Sequence, residues 1–121
     1  MTPSYKKVTK EKVTNFAKAA SSVRLAQALE NIYVHMWNTS GSIKNLEKEI
    51  QWLEELHKGH LEEHPDDLRL IKSDKKTLTT IKADYKRMEM SNRIIQGEIK
   101  RRDKARCKMA AAPAAAQAPA Q

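Results

Sequence analysis

The clearest pattern in this sequence is a narrow apolar stripe between residues 71 and 99. From Leu78 onward, apolar side chains recur at alternating steps of three and four residues, with Asn92 as a polar interruption. The members of the stripe are Ile71, Leu78, Ile81, Tyr85, Met88, Ile95 and Ile99. This spacing places them on one seam of an α-helix, as in a coiled coil. The sequence therefore predicts a long helix that packs against another helix.

Two further apolar periods precede this stripe and predict two more helices. The first helix is expected over residues 9–37, with Tyr33, Met36 and Trp37 assigned to core packing near its end. The second helix is expected over residues 42–58. Its predicted buried side consists of Ile43, Leu46, Ile50, Leu53 and Leu56. The long third helix is expected over residues 66–108.

Glycine and proline set the predicted boundaries between these helices. Gly41, within the Asn-Thr-Ser-Gly-Ser segment 38–42, is expected to end the first helix. Gly59 and the His64-Pro65 pair predict a turn within residues 58–66, because a residue before proline avoids the helical region. Serine and threonines between Ser73 and Thr80 leave open a kink in the third helix.

These elements predict an all-α fold, an elongated antiparallel helical hairpin or three-helix bundle with coiled-coil packing. The second helix would fold back on the first half of the long third helix, and the first helix would pack alongside. Residues 9–108 would form a single helical domain. We expect residues 1–8 to be a flexible basic arm and residues 109–121, rich in Ala, Pro and Gln, to be a disordered tail.

A long third helix with a shorter partner would leave apolar side chains uncovered. The residues concerned are Met88, Ile94, Ile95 and Ile99. Exposed apolar surface of this kind is typical of an interaction site. We therefore expect these residues to bind a protein partner or a second copy of the chain.

Charge is unevenly distributed along the chain, whose net charge is +8. Residues 1–37 carry +4, residues 42–64 carry −3 and residues 65–121 carry +7. The densest basic run consists of Lys100, Arg101, Arg102, Lys104, Arg106 and Lys108, opposed only by Asp103. Such a run favours binding of phosphates or an acidic protein surface. Because it follows the apolar repeat, it does not match the order of a basic-zipper protein.

Candidate chemistry is sparse. The single cysteine, Cys107, excludes an internal disulfide or a site with several cysteine ligands. His57, His60 and His64 recur at helical spacing, but Pro65 follows at once and no larger domain supplies a cleft, so no metal or catalytic site is expected. No cofactor motif, transmembrane stretch or secretory signal is recognisable. We expect a location in the cytoplasm or within a virion or other large assembly.

The sequence leaves two classes of function open. The first is a non-enzymatic assembly or adaptor protein, such as a small bacteriophage virion component or an accessory subunit, whose basic tip docks an anionic partner. The alternative is a nonspecific nucleic-acid-binding protein, including a phage-encoded inhibitor of a host system. Steep salt dependence of DNA binding would favour the second class.

Overall fold

A computed structural model of the chain describes residues 8–117, with side chains described for residues 8–109. Three α-helices occur in chain order: α1 (Lys10–Ala19), α2 (Ser22–Leu56) and α3 (Pro65–Gln117), with a short 3-10 helix (Leu61–Glu63) before α3. This part of the chain contains no strand. α2 and α3 pack against each other as an antiparallel hairpin, and α1 packs on α3. The predicted all-α hairpin or three-helix bundle is confirmed.

The first helical segment is interrupted at Ala20 and Ser21, where the sequence predicted a continuous helix over residues 9–37. Ala20 has an extended backbone (φ −73°, ψ 148°) and ends α1. The side-chain oxygen of Ser21 accepts a hydrogen bond from the backbone N–H of Arg24 at 3.2 Å and begins α2. The predicted boundary is wrong because a serine cap at this position starts a new helix.

α2 continues without a break through residues 38–42, so the turn predicted there is wrong. Gly41 lies inside the helix. A Cβ atom at this position would meet no other part of the molecule within 4 Å, apart from the backbone of the helix itself. An interior glycine costs roughly 0.5–1 kcal/mol relative to alanine. Buried Ile32 and Ile50 on either side of it pack into the bundle, and burial of such side chains outweighs that cost at about 1.5–3 kcal/mol each.

The turn predicted within residues 58–66 is found there. α2 ends at Leu56, and Gly59 has a φ of +81°, a conformation that favours glycine. Pro65 begins α3, with Asp66 and Asp67 in its first turn.

α3 is continuous across Ser73–Thr80, so it has no break at the kink that the sequence left open. The hydroxyls of Thr79 and Thr80 donate to the backbone carbonyls of Lys75 and Lys76 one turn earlier. It also continues beyond residue 108 to Gln117, so the predicted disordered tail is wrong for residues 109–117. Residues 118–121 of that tail, and residues 1–7 of the predicted basic arm, lie outside the described residues.

Two separate cores divide the molecule into an open end and a hairpin end. The open end comprises α1, the first half of α2 and the second half of α3. Its buried residues are Val13, Ala17, Ala20, Leu25, Ile32, Met88 and Ile95. The hairpin end comprises the second half of α2 and the first half of α3, and its buried apolar residues are Ile50, Leu53 and Ile71.

Candidate interaction surfaces

The predicted partner-binding seam lies inside the open-end core. Met88 and Ile95 are buried there, and Ile94 and Ile99 are partly buried against the same cluster. The expectation that these four residues stay exposed is wrong. Because α2 does not end at Gly41, its first half runs antiparallel along the second half of α3 and covers the seam, together with α1. This seam therefore packs within the chain.

Two arginines of the basic run share one carboxylate. Arg101 Nε donates to Glu98 Oε2 at 3.0 Å, and Arg102 Nε donates to Glu98 Oε1 at 3.0 Å. The hydrogen bonds from Arg101 are the largest influence on the Glu98 carboxyl, and together with Arg102 they lower its pKa to about 2 although burial acts in the opposite direction. The Glu98 carboxylate therefore stays ionised and holds both guanidinium groups.

Arg102 also joins the three helices of the open end. Its Nη2 donates to the carbonyl oxygens of Ala17 at 3.0 Å and Ala20 at 2.7 Å, and its Nη1 donates to Ser22 Oγ at 3.3 Å. The carbonyls at the end of a helix lack partners within the helix, and the positive charge suits the negative end of the helix dipole. Arg102 is thus a structural residue, although its place in the basic run predicted an anion-binding role.

The remaining cations of the basic run form part of a longer exposed row. Arg106 pairs with Asp103, whereas no ion pair within residues 8–109 involves Lys100, Lys104 or Lys108. Lys86 and Arg93 extend this row at seven-residue steps, and both are exposed. We call Lys86, Arg93, Lys100, Lys104 and Lys108 the cationic stripe. At about 1.5 Å per residue it is about 33 Å long.

Helical spacing could have revealed the cationic stripe in the sequence. Steps of four and seven residues return to nearly the same face of a helix. Density along the chain instead selects Arg101 and Arg102, which bind Glu98, and leaves out Lys86 and Arg93.

α2 carries several large apolar side chains that are exposed. They are Val23, Val34, Trp37, Trp52 and Leu56. Trp37 is 80% exposed, so its assignment to the core is wrong. The buried residues in the first half of α2 are Leu25 and Ile32. Large exposed apolar side chains are typical of an interaction surface.

The two edges of the hairpin end differ in their charge pairing. On one edge, ion pairs join α3 to α2 between Lys75 and Glu54 (3.1 Å) and between Lys82 and Glu47 (3.9 Å). On the other edge, Asp74 is only 9% exposed, and its Oδ2 has no hydrogen-bond partner. Coulombic repulsion from Asp74, followed by a hydrogen bond between the two groups, raises the pKa of the Glu49 carboxyl. Within residues 8–109, neither carboxyl group of this second edge takes part in an ion pair.

The histidines of the turn interact with one another and with α3. The rings of His57 and His64 stack with centroids 3.8 Å apart, and His57 Nε2 lies 2.5 Å from Asp67 Oδ2. Among the described residues, no group of three or more His, Cys, Asp or Glu side chains is arranged to hold a metal ion. The observed contacts connect the end of α2 to the first turn of α3.

Within the described part of the chain, none of the helices combines the length and apolar character needed to cross a membrane. The fold thus defines a small all-α helical hairpin with a third helix at one end. Comparison of the chain with known proteins found no matching family, no significant match among curated proteins and none among solved structures.

Proposed function

We propose that this protein is a non-enzymatic helical adaptor or assembly protein that docks an anionic partner through the cationic stripe. The observation that carries the proposal is the division of the basic run. Arg101 and Arg102 bind Glu98, whereas Lys100, Lys104 and Lys108 face water without an ion pair within residues 8–109. Unpaired cations in a row attract an anionic surface and set the orientation of docking.

The arrangement of the stripe supports docking onto an extended anionic surface. The helix that carries it is held to α1 and α2 by Arg102 and by the open-end core, so the lysines project from a packed support. The lysine ammonium is a compact charge on a flexible stem. It therefore attracts anions of varied geometry, whereas the planar arginine guanidinium suits one planar group. An acidic protein surface is the partner we propose, in a bacteriophage virion or as an accessory subunit of another complex, located in the cytoplasm or in that assembly.

The test neutralises the stripe without removing structural arginines. The variant Lys100→Gln, Lys104→Gln and Lys108→Gln loses three positive charges, and Gln is nearly as good a helix former as Lys. A matched control, Lys44→Gln, Lys72→Gln and Lys76→Gln, loses the same charge at exposed positions elsewhere. Fluorescence anisotropy would measure binding of labelled polyglutamate to the parent protein and to both variants.

We expect the stripe variant to bind polyglutamate at least tenfold more weakly than the parent at low salt, and the control to bind like the parent. Equal weakening by both variants would mean that net charge alone drives binding and would contradict the proposal. Circular dichroism should show the same helix content in all three proteins.

A second function, nonspecific nucleic-acid binding, is favoured by the length of the stripe. Five cations along about 33 Å of one helix can follow a phosphate backbone. In that case the parent should bind unrelated DNA duplexes equally and more tightly than polyglutamate. The stripe variant should lower the salt slope of DNA binding by about 3, or about 1 per lost phosphate contact. A role as an inhibitor of a host system would belong to this second function.

A further inference from the structure

The groove that receives α1 at the open end continues along α2 into the hairpin end. Among the α2 residues that face α1 are Ala28 and Asn31. Seven-residue steps from Ala28 lead to Glu49 and Leu56, and the same steps from Asn31 lead to Trp52. Two helices in a coiled coil keep positions seven residues apart on the same side. Glu49, Trp52 and Leu56 therefore lie on the side of α2 whose residues Ala28 and Asn31 line a pocket beside α1 at the other end.

The opposite wall of the groove continues along α3 in the same way. Ser91 and Ile95 face α1 at the open end. Seven-residue steps back from Ile95 lead to Asp74, and those from Ser91 lead to Leu70. No third helix within residues 8–117 covers this part of the groove. We call it the hairpin groove, with Glu49, Trp52, Leu56, Leu70 and Asp74 as its defining residues.

The floor of the hairpin groove carries unbalanced negative charge. Asp74 is buried to more than nine-tenths, and its Oδ2 lacks any hydrogen-bond partner. Leaving a buried polar atom unsatisfied is costly, and the cost is greater for a charged group. The repulsion that raises the pKa of Glu49 comes from the same carboxylate. Glu49 is exposed, so a cation beside its carboxylate would offset the repulsion from Asp74.

The rim of the hairpin groove is apolar. Trp52 is 62% exposed, Leu56 is 56% exposed and Leu70 is 40% exposed. These apolar side chains surround the carboxyl groups of Asp74 and Glu49. A groove of this kind binds the apolar face of an amphipathic helix and selects that helix by its charge.

We propose that the hairpin groove binds a basic amphipathic helix of a partner protein. The apolar face of that helix would lie on Trp52, Leu56 and Leu70, and one of its Lys or Arg side chains would pair with Glu49 next to Asp74. The groove from Ser42 to Leu56 is about 21 Å long, which matches a helix of about 14 residues. This surface is separate from the cationic stripe, and the proposal does not depend on the proposed function.

Charge decides between this occupant and a second copy of the chain. A two-fold dimer through the hairpin groove would bring Asp74 and Glu49 of one copy against the same residues of the other. Like charges close together in a partly buried interface are unfavourable. The opposite edge of the hairpin needs no outside cation, because Lys75 and Lys82 already pair with Glu54 and Glu47 there.

The experiment uses Trp52 as the reporter. The sequence contains two tryptophans, so Trp37→Phe leaves Trp52 as the only one. The probes are two synthetic 14-residue amphipathic helices, one of Leu and Lys and the other of Leu and Glu. We expect the Leu/Lys peptide to shift Trp52 emission to shorter wavelength in a saturable manner, and the Leu/Glu peptide to cause no shift.

Neutralising variants in the same background test the recognition site. Asp74→Asn with Glu49→Gln should weaken binding of the Leu/Lys peptide at least tenfold, without loss of helix content. The control Glu47→Gln with Glu54→Gln removes the same charge from the other edge and should weaken binding less than threefold. Lys100→Gln, Lys104→Gln and Lys108→Gln should leave this binding unchanged, which separates it from the proposed function of the stripe.

Three results would overturn the proposal. The first is equal weakening by the two carboxylate pairs, which would indicate general attraction to an acidic surface. The second is a parent protein that sediments as a dimer with Trp52 shielded from acrylamide, which would assign the groove to a second copy. The third is Trp52 that becomes accessible to acrylamide only after removal of residues 1–7, which would assign the groove to this chain's own N-terminal residues.

Discussion

The open end of the molecule packs three helices around its core, whereas the hairpin end packs two. Among the side chains described, seven apolar residues are buried at the open end, including Leu25, which is 0% exposed. At the hairpin end three apolar residues are buried, and Leu61 and Leu78 pack against them. The open end also has Arg102, which connects all three helices. We infer that the open end provides most of the stability and that the hairpin end keeps surface for binding.

The two ends also treat buried charge differently. At the open end, Glu98 accepts hydrogen bonds from two arginines, and its pKa falls to about 2. At the hairpin end, Asp74 makes no ion pair within residues 8–109, and the pKa of Glu49 rises. A fully hydrogen-bonded charged network rigidifies the fold around it, whereas a partly satisfied one is energetically costly.

The largest expected effect is a core truncation at the open end. Leu25→Ala should lower the free energy of unfolding by about 2–5 kcal/mol, because it removes a fully buried side chain between helices. Leu53→Ala at the hairpin end should cost less, since its two-helix core can collapse around the lost volume. Urea unfolding followed by circular dichroism would measure both. A larger cost for Leu53→Ala would reverse our ranking of the two ends.

Removal of Arg102 should have the next largest effect. Arg102→Gln loses the hydrogen bonds to Ala17 and Ala20 and should lower the free energy of unfolding by about 2 kcal/mol. Arg101→Gln is the control, because Arg101 touches Glu98 at the surface and should cost much less. Hydrogen exchange should show that Arg102→Gln loosens α1 first. Equal costs for the two variants would refute a structural role specific to Arg102.

Two glycine substitutions should change stability in opposite directions. Gly59→Ala places a side chain at φ +81° in the turn and should destabilise the protein by about 1 kcal/mol. Gly41→Ala lies in the interior of α2 with open space around it and should stabilise the protein by about 0.5–1 kcal/mol. Thermal unfolding would measure both. Destabilisation by Gly41→Ala would support the turn that the sequence predicted there.

The smallest expected effects concern pH, and they have opposite signs at the two ends. The lowered pKa of Glu98 gives stability that is present above pH 4.5 and lost as the pH falls towards about 2. The raised pKa of Glu49 favours the folded state below pH 4.5, and that contribution is lost as the pH rises through the folded-state value.

Urea unfolding of Glu98→Gln and Glu49→Gln at several pH values would check both signs. At neutral pH, Glu98→Gln should be less stable than the parent and Glu49→Gln more stable. Both differences should shrink on acidification, because the parent carboxyl groups become protonated. A stabilising Glu98→Gln at neutral pH would contradict the arginine network.

Local patterns in the sequence determined the helical class and the hairpin. The apolar period from Leu78 to Ile99 requires a long helix with one packed side, and the residues around Gly59 and Pro65 prevent a helix from continuing. These features act over a few residues, so they could be predicted without knowledge of distant contacts. The position of the turn within residues 58–66 follows from them.

Only tertiary structure decided where α1 and α2 are divided and what covers the seam of α3. Gly41 weakens a helix locally, but packing of α2 against α3 on both sides of it outweighs that weakness. Ser21 can cap a helix or lie within one, and its use as a cap depends on α1 folding onto α3. The exposure predicted for Ile95 failed because it depended on the length of α2.

The candidate surfaces were predictable only in part for the same reason. A count of cations located the basic end, since charge density is a property of the sequence. Which cations remain unpaired depends on Glu98 and on the end of α1, more than 80 residues away from Arg102 along the chain. The hairpin groove was not predicted, because Glu49 and Asp74 come together only when α2 and α3 pack antiparallel.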